Sequence, residues 1–318
     1  MKIVSLDGQS LNPGDLSWEC FNQFGDITVY PRTDSPAETI ARLQGVDIVL
    51  LNKVPITEAV LAACPDLKLI CVLAAGSNVV DLKAASKRGI PVCNVPAYST
   101  ASVSQFTFSL LLELCNRVGH HDRVVHEGKW SRCPNFCFWD TPQMELAGKT
   151  MGIIGFGRIG KAVGRIANAF GMEVLAYNRS RSAEGEAIAT YVELEELLKR
   201  SDVVSLHLPL TADNAGMVNA EFLAKMKDGA MLINTARGGL INEAALHQAL
   251  TDGKLRGAAV DVAGIEPIPA DSPLLTAPNC VITPHMAWAP LEARQRILDI
   301  TVQSIRGWLE GNPVNTVN

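Results

Sequence analysis

The chain has 318 residues, of which 47% are apolar and 19% are charged, and its net charge is −5. This composition predicts a soluble globular protein, and the length predicts two domains. The mild negative charge argues against a nucleic-acid partner, and no apolar run is long enough for a membrane span. Because Asp7 interrupts the N-terminal apolar stretch too early for a signal peptide, we expect a cytoplasmic protein.

Short apolar runs alternate with helical patterns through the first hundred residues. This alternation predicts a parallel sheet covered by helices on both faces. The predicted strands are 3–6, 27–30, 46–51, 69–73 and 90–93, and the predicted helices are 36–43, 57–64 and 80–87.

A longer helix is predicted from residue 99 to residue 114, after which residues 120–140 lose their periodicity. This second segment contains four aromatic side chains, and exposed aromatic residues in an irregular arm indicate a subunit contact. We therefore expect a homodimer, with packing of these side chains on their own chain as the alternative. The four residues are Trp130, Phe136, Phe138 and Trp139.

A glycine-rich turn joins the predicted strand 151–154 to a predicted helix. Gly155 permits a sharp turn, Gly157 removes a side chain where the backbone approaches a pyrophosphate, and Gly160 lets the helix pack closely on the strand. The helix N-terminus then offers N–H groups and the positive end of its dipole to the phosphates. The turn therefore predicts a dinucleotide cofactor.

Six strands are predicted in this second half of the chain. They predict a complete doubly wound Rossmann domain, and the last helix, starting at Pro290, is expected to pack on the first domain. We therefore expect an NAD(P)-binding domain at 99–286 and a smaller flavodoxin-like substrate domain at 1–98 and 287–318, separated by a cleft. The six strands are 151–154, 173–177, 203–208, 231–235, 258–262 and 280–283.

Three polar side chains follow strands at the edge where parallel sheets bind ligands: Arg237, Glu266 and His285. A guanidinium can hold a carboxylate or polarise a carbonyl group, and an imidazole can protonate the oxygen that gains charge during hydride transfer. A neighbouring carboxylate stabilises the charged imidazole. Taken singly, the three residues could be a surface ion pair, a turn cap and a structural histidine, but together they predict reduction of a 2-keto acid.

At this point the sequence resembles the D-isomer-specific 2-hydroxyacid dehydrogenase family over essentially its whole length. The motifs that carry the resemblance lie at 94–98, 103–107, 155–160, 207–211, 234–238, 261–267 and 283–285. The resemblance implies that Arg237, Glu266 and His285 are catalytic. It implies that peptide N–H groups of Ala75, Gly76 and Ser77 hold the substrate carboxylate. It also implies a set of residues around the cofactor: Thr107, Arg158, Ile159, Leu208, Pro209, Ala236 and Asp261.

Further residues indicate which branch of the family the chain resembles. Formate dehydrogenases of the family have glutamine where this chain has Glu266, which argues against that branch. Residues 138–140 and 285–288 look most like the glycerate dehydrogenase, or hydroxypyruvate reductase, branch, and Lys53 is a suitable cation for an anionic substrate. We therefore expect hydroxypyruvate or glyoxylate as the substrate, giving D-glycerate or glycolate.

Asn178, Arg179 and Ser180 follow the second strand of the dinucleotide domain, where an NAD-preferring member would place an aspartate for the ribose hydroxyls. An aspartate would repel a 2′-phosphate, whereas Asn178 with Arg179 can accept one. This predicts that NADP(H) is favoured, with NAD(H) still usable. The alternative is an ordinary loop with solvated arginine side chains.

Two other functions stay open. A 3-phosphoglycerate dehydrogenase without a regulatory domain would need additional phosphate-binding cations, of which Lys53 is the only hint. A nucleotide-sensing, corepressor-like binding protein would not need the intact trio.

Cysteine usage predicts buried free thiols in a reducing compartment, because most of the eight cysteines lie within apolar runs. Cys133 and Cys137 are the one close pair, but no matching Cys or His cluster is near them in the sequence. We therefore expect no metal site.

Overall fold

The computed structural model describes residues 1–318 as two compact units. The first unit comprises Met1–Ser99 and Trp288–Asn318, and the second comprises Thr100–Ala287. Each unit contains one sheet, of five strands in the first and seven in the second, and every strand pair in both sheets is parallel. The prediction of two α/β domains with parallel sheets is therefore confirmed. None of the helices combines the length and apolar composition needed to cross a bilayer.

The strands of the first unit are β1 (Lys2–Ser5), β2 (Asp26–Val29), β3 (Ile48–Leu51), β4 (Leu69–Val72) and β5 (Val92–Cys93), and their order in the sheet is β2-β1-β3-β4-β5. The strands β3 and β4 are wholly apolar and buried, as expected when helices cover both faces of a parallel sheet. Each of the three connecting helices begins at a side chain that accepts an N–H three residues further on: Ser35, Thr57 and Asp81. These helices are α1 (Pro36–Arg42), α2 (Glu58–Ala63) and α3 (Leu82–Lys87).

Helices and strands alternate through most of the second unit as well. Its first elements are α4 (Thr100–Asn116), α5 (Val118–His126), β6 (Thr150–Ile154), α6 (Arg158–Ala169), β7 (Glu173–Tyr177), α7 (Ala183–Glu186), β8 (Thr190–Tyr191) and α8 (Leu194–Arg200). The remainder are β9 (Val203–Leu206), α9 (Ala220–Lys225), β10 (Ala230–Asn234), α10 (Glu243–Thr251), β11 (Leu255–Val260) and β12 (Cys280–Ile282).

The sheet of the second unit has the order β12-β11-β10-β9-β6-β7-β8. The prediction of six strands was one too few, because β8 is a two-residue edge strand, too short to leave a periodic pattern. The order reverses beside β6, whose two neighbours are β7 and β9. The glycine-rich turn follows β6, so it lies at the point where ligands bind in sheets of this kind.

The segment 120–140 was expected to be irregular, but its first part is helical and belongs to α5. This helix buries none of its residues within the chain, and its three valines and one glycine have low helix propensity, so the sequence gives little sign of it. Of the aromatic residues that follow, Phe136 and Trp139 are 89% and 65% exposed, whereas Phe138 packs against the ring of His121.

The last helix, α11 (Leu291–Leu309), lies in the first unit. Its inner face packs in the same apolar cluster as β1, β3 and β4, through Ala293, Ile297, Leu298 and Ile305. Arg294 is 8% exposed on this face, and its guanidinium forms a paired ion bridge with the carboxylate of Asp15 at 2.7 and 2.6 Å.

All eight cysteines are free thiols. The expectation of burial holds for four of them, Cys64, Cys71, Cys93 and Cys115, while the other four are partly exposed. Burial raises the pKa of the Cys280 thiol to about 11, so this side chain is a thiol and not a thiolate at neutral pH.

Candidate active site

The glycine-rich turn after β6 is shaped by backbone contacts that leave no room for side chains. Gly155 has a φ of +91°, and a Cβ on it would lie 2.6 Å from the carbonyl group of His207. A Cβ on Gly160 would lie 2.3 Å from the carbonyl oxygen of Gly155. In contrast, no atom lies within 4 Å of the place that a Cβ on Gly157 would take. The turn is therefore closed on its protein side and open at Gly157.

This opening fits the pyrophosphate of a dinucleotide. The helix α6 begins directly after Gly157, which has no side chain that could cap it. The N–H groups at the start of the helix, including those of Arg158 and Ile159, are therefore available to an anion. Arg158 is exposed and Ile159 is partly buried, so a cation and an apolar surface flank the opening.

The loop after β7 is held in shape by Asn178. Its Oδ1 accepts a hydrogen bond from the N–H of Phe156 at 3.1 Å, and its Nδ2 donates to the carbonyl oxygen of Ser180 at 2.7 Å. The amide therefore ties this loop to the glycine-rich turn, a structural role that no motif in the sequence indicates. Arg179 is exposed and forms no ion pair within the chain, whereas the guanidinium of Arg181 lies over the ring of Tyr191.

The other residues expected near the cofactor lie at different depths. Thr107 is fully buried, with its hydroxyl bonded to the preceding turn of α4 and 3.3 Å from the hydroxyl of Thr235. Leu208 and Ala236 follow β9 and β10 and are partly buried, and Pro209 is exposed. The contact of Thr107 with a cofactor stays a prediction.

His207 follows β9 directly and faces the glycine-rich turn through its backbone carbonyl. Its Nε2 lies 2.8 Å from Oγ of Ser205, and desolvation of the ring lowers the pKa of His207 to about 3. The imidazole is therefore neutral at physiological pH and contributes no positive charge to the turn.

Arg237 extends from a loop whose shape is set by the fully buried Asn234. The Oδ1 of Asn234 accepts from the N–H of Ala236 at 2.9 Å, and its Nδ2 donates to the carbonyl oxygen of Arg237 at 2.9 Å. The guanidinium of Arg237 is exposed, and one of its N–H groups donates to the carbonyl oxygen of Ala236 at 2.7 Å. Its other donors remain available to a carboxylate or carbonyl oxygen.

His285 and Glu266 are in direct contact. Nδ1 of His285 lies 2.7 Å from Oε2 of Glu266, and Oε1 of Glu266 accepts from the N–H of Ala263 at 3.2 Å. The carboxylate thus orients the ring through one nitrogen and leaves Nε2 available to a substrate. Arg237, Glu266 and His285 follow the neighbouring strands β10, β11 and β12 at one edge of the sheet.

The backbone at His285 is anchored by Asp261, which is 1% exposed. Its Oδ1 accepts from the hydroxyl of Thr283 at 2.6 Å and from the N–H of Met286 at 2.9 Å, and its Oδ2 accepts from the N–H of Ala287 at 2.8 Å. His285 has a φ of +53°, in the left-handed region that non-glycine residues rarely adopt. The carboxylate therefore holds this turn from both sides, while the cofactor contact implied for Asp261 stays a prediction.

In the first unit, Lys53 is exposed just after β3, and its backbone is fixed by Asp7. The N–H groups of Asn52 and Lys53 donate to the Asp7 carboxylate at 2.9 and 2.6 Å. Asp7 is 8% exposed, and this burial raises its pKa, although the N–H bonds act in the opposite direction. This role of Asp7 has no signal in the sequence, because its partners lie more than 40 positions away.

Ala75, Gly76 and Ser77 follow β4, which is the neighbour of β3 in the same sheet. The Nδ2 of Asn94 donates to the carbonyl oxygen of Ala75 at 2.6 Å, and the N–H of Val80 donates to the carbonyl oxygen of Ser77 at 3.0 Å. The two groups of expected substrate contacts in this unit therefore lie at the same edge of the five-stranded sheet.

Residues 108–287, more than half of the chain, match the family described as D-isomer specific 2-hydroxyacid dehydrogenase, NAD binding domain. The chain belongs to the D-isomer specific 2-hydroxyacid dehydrogenase family. The resemblance inferred from the motifs is thus confirmed, and with it a nicotinamide dinucleotide as the cofactor.

Relatives and solved structures cover the whole chain. It is 52% identical over 322 residues to a hydroxypyruvate reductase of Blautia hydrogenotrophica, covering 100% of both chains. It is 42% identical to a glycerate dehydrogenase of Methylorubrum extorquens, covering 99% of this chain and 98% of the other. A structure of an acyclic imino acid reductase in complex with NADPH and D-Arg matches with a TM-score of 0.85, at 31% identity and with 100% of both chains covered. Membership of a family with such relatives assigns the chain a 2-hydroxyacid dehydrogenase activity.

Proposed function

We propose that this protein reduces hydroxypyruvate or glyoxylate to D-glycerate or glycolate, with NADPH favoured over NADH. The observation that carries the proposal is the 2.7 Å contact between His285 and Glu266, which follow β12 and β11, at the same edge of the sheet as Arg237 after β10. The naming of the relatives as hydroxypyruvate reductase and glycerate dehydrogenase supports the substrate class.

Each member of the trio has one task in the proposed reaction. The guanidinium of Arg237 binds the carboxylate of the keto acid or polarises its carbonyl group. The nicotinamide, when bound, supplies the hydride. Nε2 of protonated His285 donates a proton to the oxygen that gains negative charge, and the carboxylate of Glu266 stabilises the imidazolium beforehand. In the reverse direction the neutral imidazole accepts the same proton.

In this proposal the two units bind different ligands. Residues 99–286 bind the dinucleotide, while residues 1–98 and 287–318 bind the substrate, with the ammonium of Lys53 attracting the anion and the peptide N–H groups of 75–77 holding its carboxylate. The exposure of Lys53, with its backbone fixed by Asp7, supports this role because the side chain is free while its base is rigid.

The preference for NADPH rests on Arg179. This exposed guanidinium has no partner within the chain, and no aspartate stands at the end of β7 to repel a 2′-phosphate. The similarity to a reductase solved with NADPH is in keeping with this choice.

We also propose a homodimer formed through α5 and the residues after it. The exposed Phe136 and Trp139, which follow a helix without buried residues, offer apolar surface that a second copy would cover. The double variant Phe136→Ser/Trp139→Ser should be monomeric in sedimentation equilibrium, where the unaltered chain is dimeric. A monomeric unaltered chain would refute this proposal.

The substrate proposal is tested by following absorbance at 340 nm with a panel of 2-keto acids and both cofactors. We expect the largest kcat/KM for hydroxypyruvate or glyoxylate. Preferential turnover of 3-phosphohydroxypyruvate would favour a phosphoglycerate dehydrogenase instead. Cofactor binding without oxidation by any keto acid would favour a nucleotide-sensing binding protein.

A further inference from the structure

The loop that follows Arg237 and the loop that carries Glu266 touch through their backbones. Gly238 comes directly after Arg237, and a Cβ on it would lie 1.9 Å from the carbonyl oxygen of Ala263 and 2.5 Å from the nitrogen of Gly264. Such distances admit no side chain, so the sequence must have glycine where the two loops meet. This backbone contact therefore fixes the position of Arg237 relative to the loop that carries Glu266.

One carboxylate bonds this second loop near both of its ends. Oε1 of Glu243 accepts from the N–H of Gly264 at 2.7 Å, and Oε2 accepts from the hydroxyl of Ser272 at 2.9 Å. Glu266 lies between these two points. Glu243 is itself the first residue of α10, and this helix starts at Asn242, whose side chain caps it. The helix thus provides a rigid base for the carboxylate.

We propose that Glu243 is a positioning residue for the reaction, which clamps residues 264–272 onto α10 and so keeps the carboxylate of Glu266 against His285. The inference rests on the proposed function for its catalytic consequence. Glu243 reaches neither Glu266 nor His285, and it acts only through the backbone of Gly264 and the hydroxyl of Ser272. Without the carboxylate of Glu243, no charged acceptor would bond the loop at Gly264 or at Ser272. Glu266 would then spend less time within reach of the imidazole.

The test compares Glu243→Ala, Glu243→Gln and Glu221→Ala with the unaltered protein. Glutamine can still accept from Gly264 through Oε1 and can donate to the Ser272 hydroxyl through Nε2, so it keeps both contacts without the charge. Glu221 also lies in the first turn of a helix of this unit, and its partner is the surface residue Lys225. It is therefore a matched control for the loss of an acid near a helix start.

In Glu243→Ala we expect kcat for keto-acid reduction to fall about ten- to hundredfold, the dissociation constant of NADPH to stay within about twofold, and Glu243→Gln to recover most of the loss. The alkaline limb of the pH profile should move to lower pH, because the imidazolium loses part of its carboxylate partner. Glu221→Ala should resemble the unaltered protein in every respect.

Hydrogen exchange of the unliganded protein, read by mass spectrometry over residues 261–272, provides a readout that does not depend on turnover. Faster exchange there in Glu243→Ala, but not in Glu221→Ala, is the expected result. Unchanged exchange would overturn the clamp, and a fall in kcat with an unmoved pH limb would overturn the positioning of Glu266. If the unaltered protein reduces no keto acid, the proposed function fails, while exchange still decides whether Glu243 holds the loop.

Discussion

Nδ1 of His285 lies 2.7 Å from Oε2 of Glu266, although the two residues are 19 positions apart and follow different strands. We predict that His285→Gln lowers kcat for keto-acid reduction by about 10²- to 10⁴-fold, because glutamine cannot supply the proton. Binding of NADPH, followed by quenching of protein fluorescence, should be unaffected. His247→Gln is the control, since that residue lies on α10, outside the trio. Unimpaired turnover of His285→Gln would end the assignment.

The carboxylate of Asp261 accepts three hydrogen bonds around the turn at His285. In Asp261→Asn the amide has one acceptor oxygen and a donor group, so at least one buried N–H or hydroxyl loses its partner. We expect the free energy of unfolding in urea to fall by about 1 to 3 kcal/mol and kcat to fall with it. The exposed Asp228, replaced in the same way, should leave the stability nearly unchanged. Equal stabilities of the two variants would contradict the anchoring role.

Cofactor choice should respond to Arg179. The variant Arg179→Asp removes a cation and adds a group that repels a 2′-phosphate, so we expect the ratio of kcat/KM with NADPH to that with NADH to fall by about ten- to a hundredfold. Arg181→Asp is the comparison, because the guanidinium of Arg181 lies over the ring of Tyr191 on β8. A ratio that does not move in Arg179→Asp would show that the loop does not select the cofactor.

Stability at acid pH should depend on His207. Desolvation lowers its pKa to about 3, while an unfolded histidine titrates near pH 6.5. Between these values the unfolded state binds the extra proton, so the stability due to neutral His207 is present above pH 6.5 and is lost as the pH falls toward 3.

The slope expected from His207 is at most about 1.4 kcal/mol per pH unit, and less in practice because the residue is partly exposed. Urea midpoints measured from pH 7 to pH 4 should therefore decline less steeply for His207→Gln than for the unaltered protein. Parallel curves would show that the ring titrates normally in the folded state.

The parts of the site that depend on the order of strands, turns and helices along the chain could be predicted from the sequence. The glycines at 155 and 160 were identified because backbone atoms leave no room for a side chain there. Only glycine fits at these positions, so the residue type is itself the signal. The trio was predicted because parallel strands deliver the residues after them to one edge of a sheet. The family motifs then distinguished these residues from ordinary polar side chains.

The supporting side chains could not be identified in this way. Asn234, Asp261 and Glu243 bind backbone N–H or carbonyl groups, which every residue possesses, so their partners leave no trace in the sequence. The failures at α5 and β8 have other causes, since α5 contains residues of low helix propensity and buries none of them, and a strand of two residues has no periodicity to detect.

The left-handed backbone conformation of residue 285 also implies that thermal stability and turnover favour different side chains at this position. Glycine adopts this conformation without a steric cost, and asparagine tolerates it better than most side chains, whereas other residues are strained there. His285→Gly or His285→Asn should therefore give a protein that melts at a higher temperature but has lost its turnover. On this view, thermal resistance was given up at a single position so that an imidazole could stand where the proposed reaction requires it.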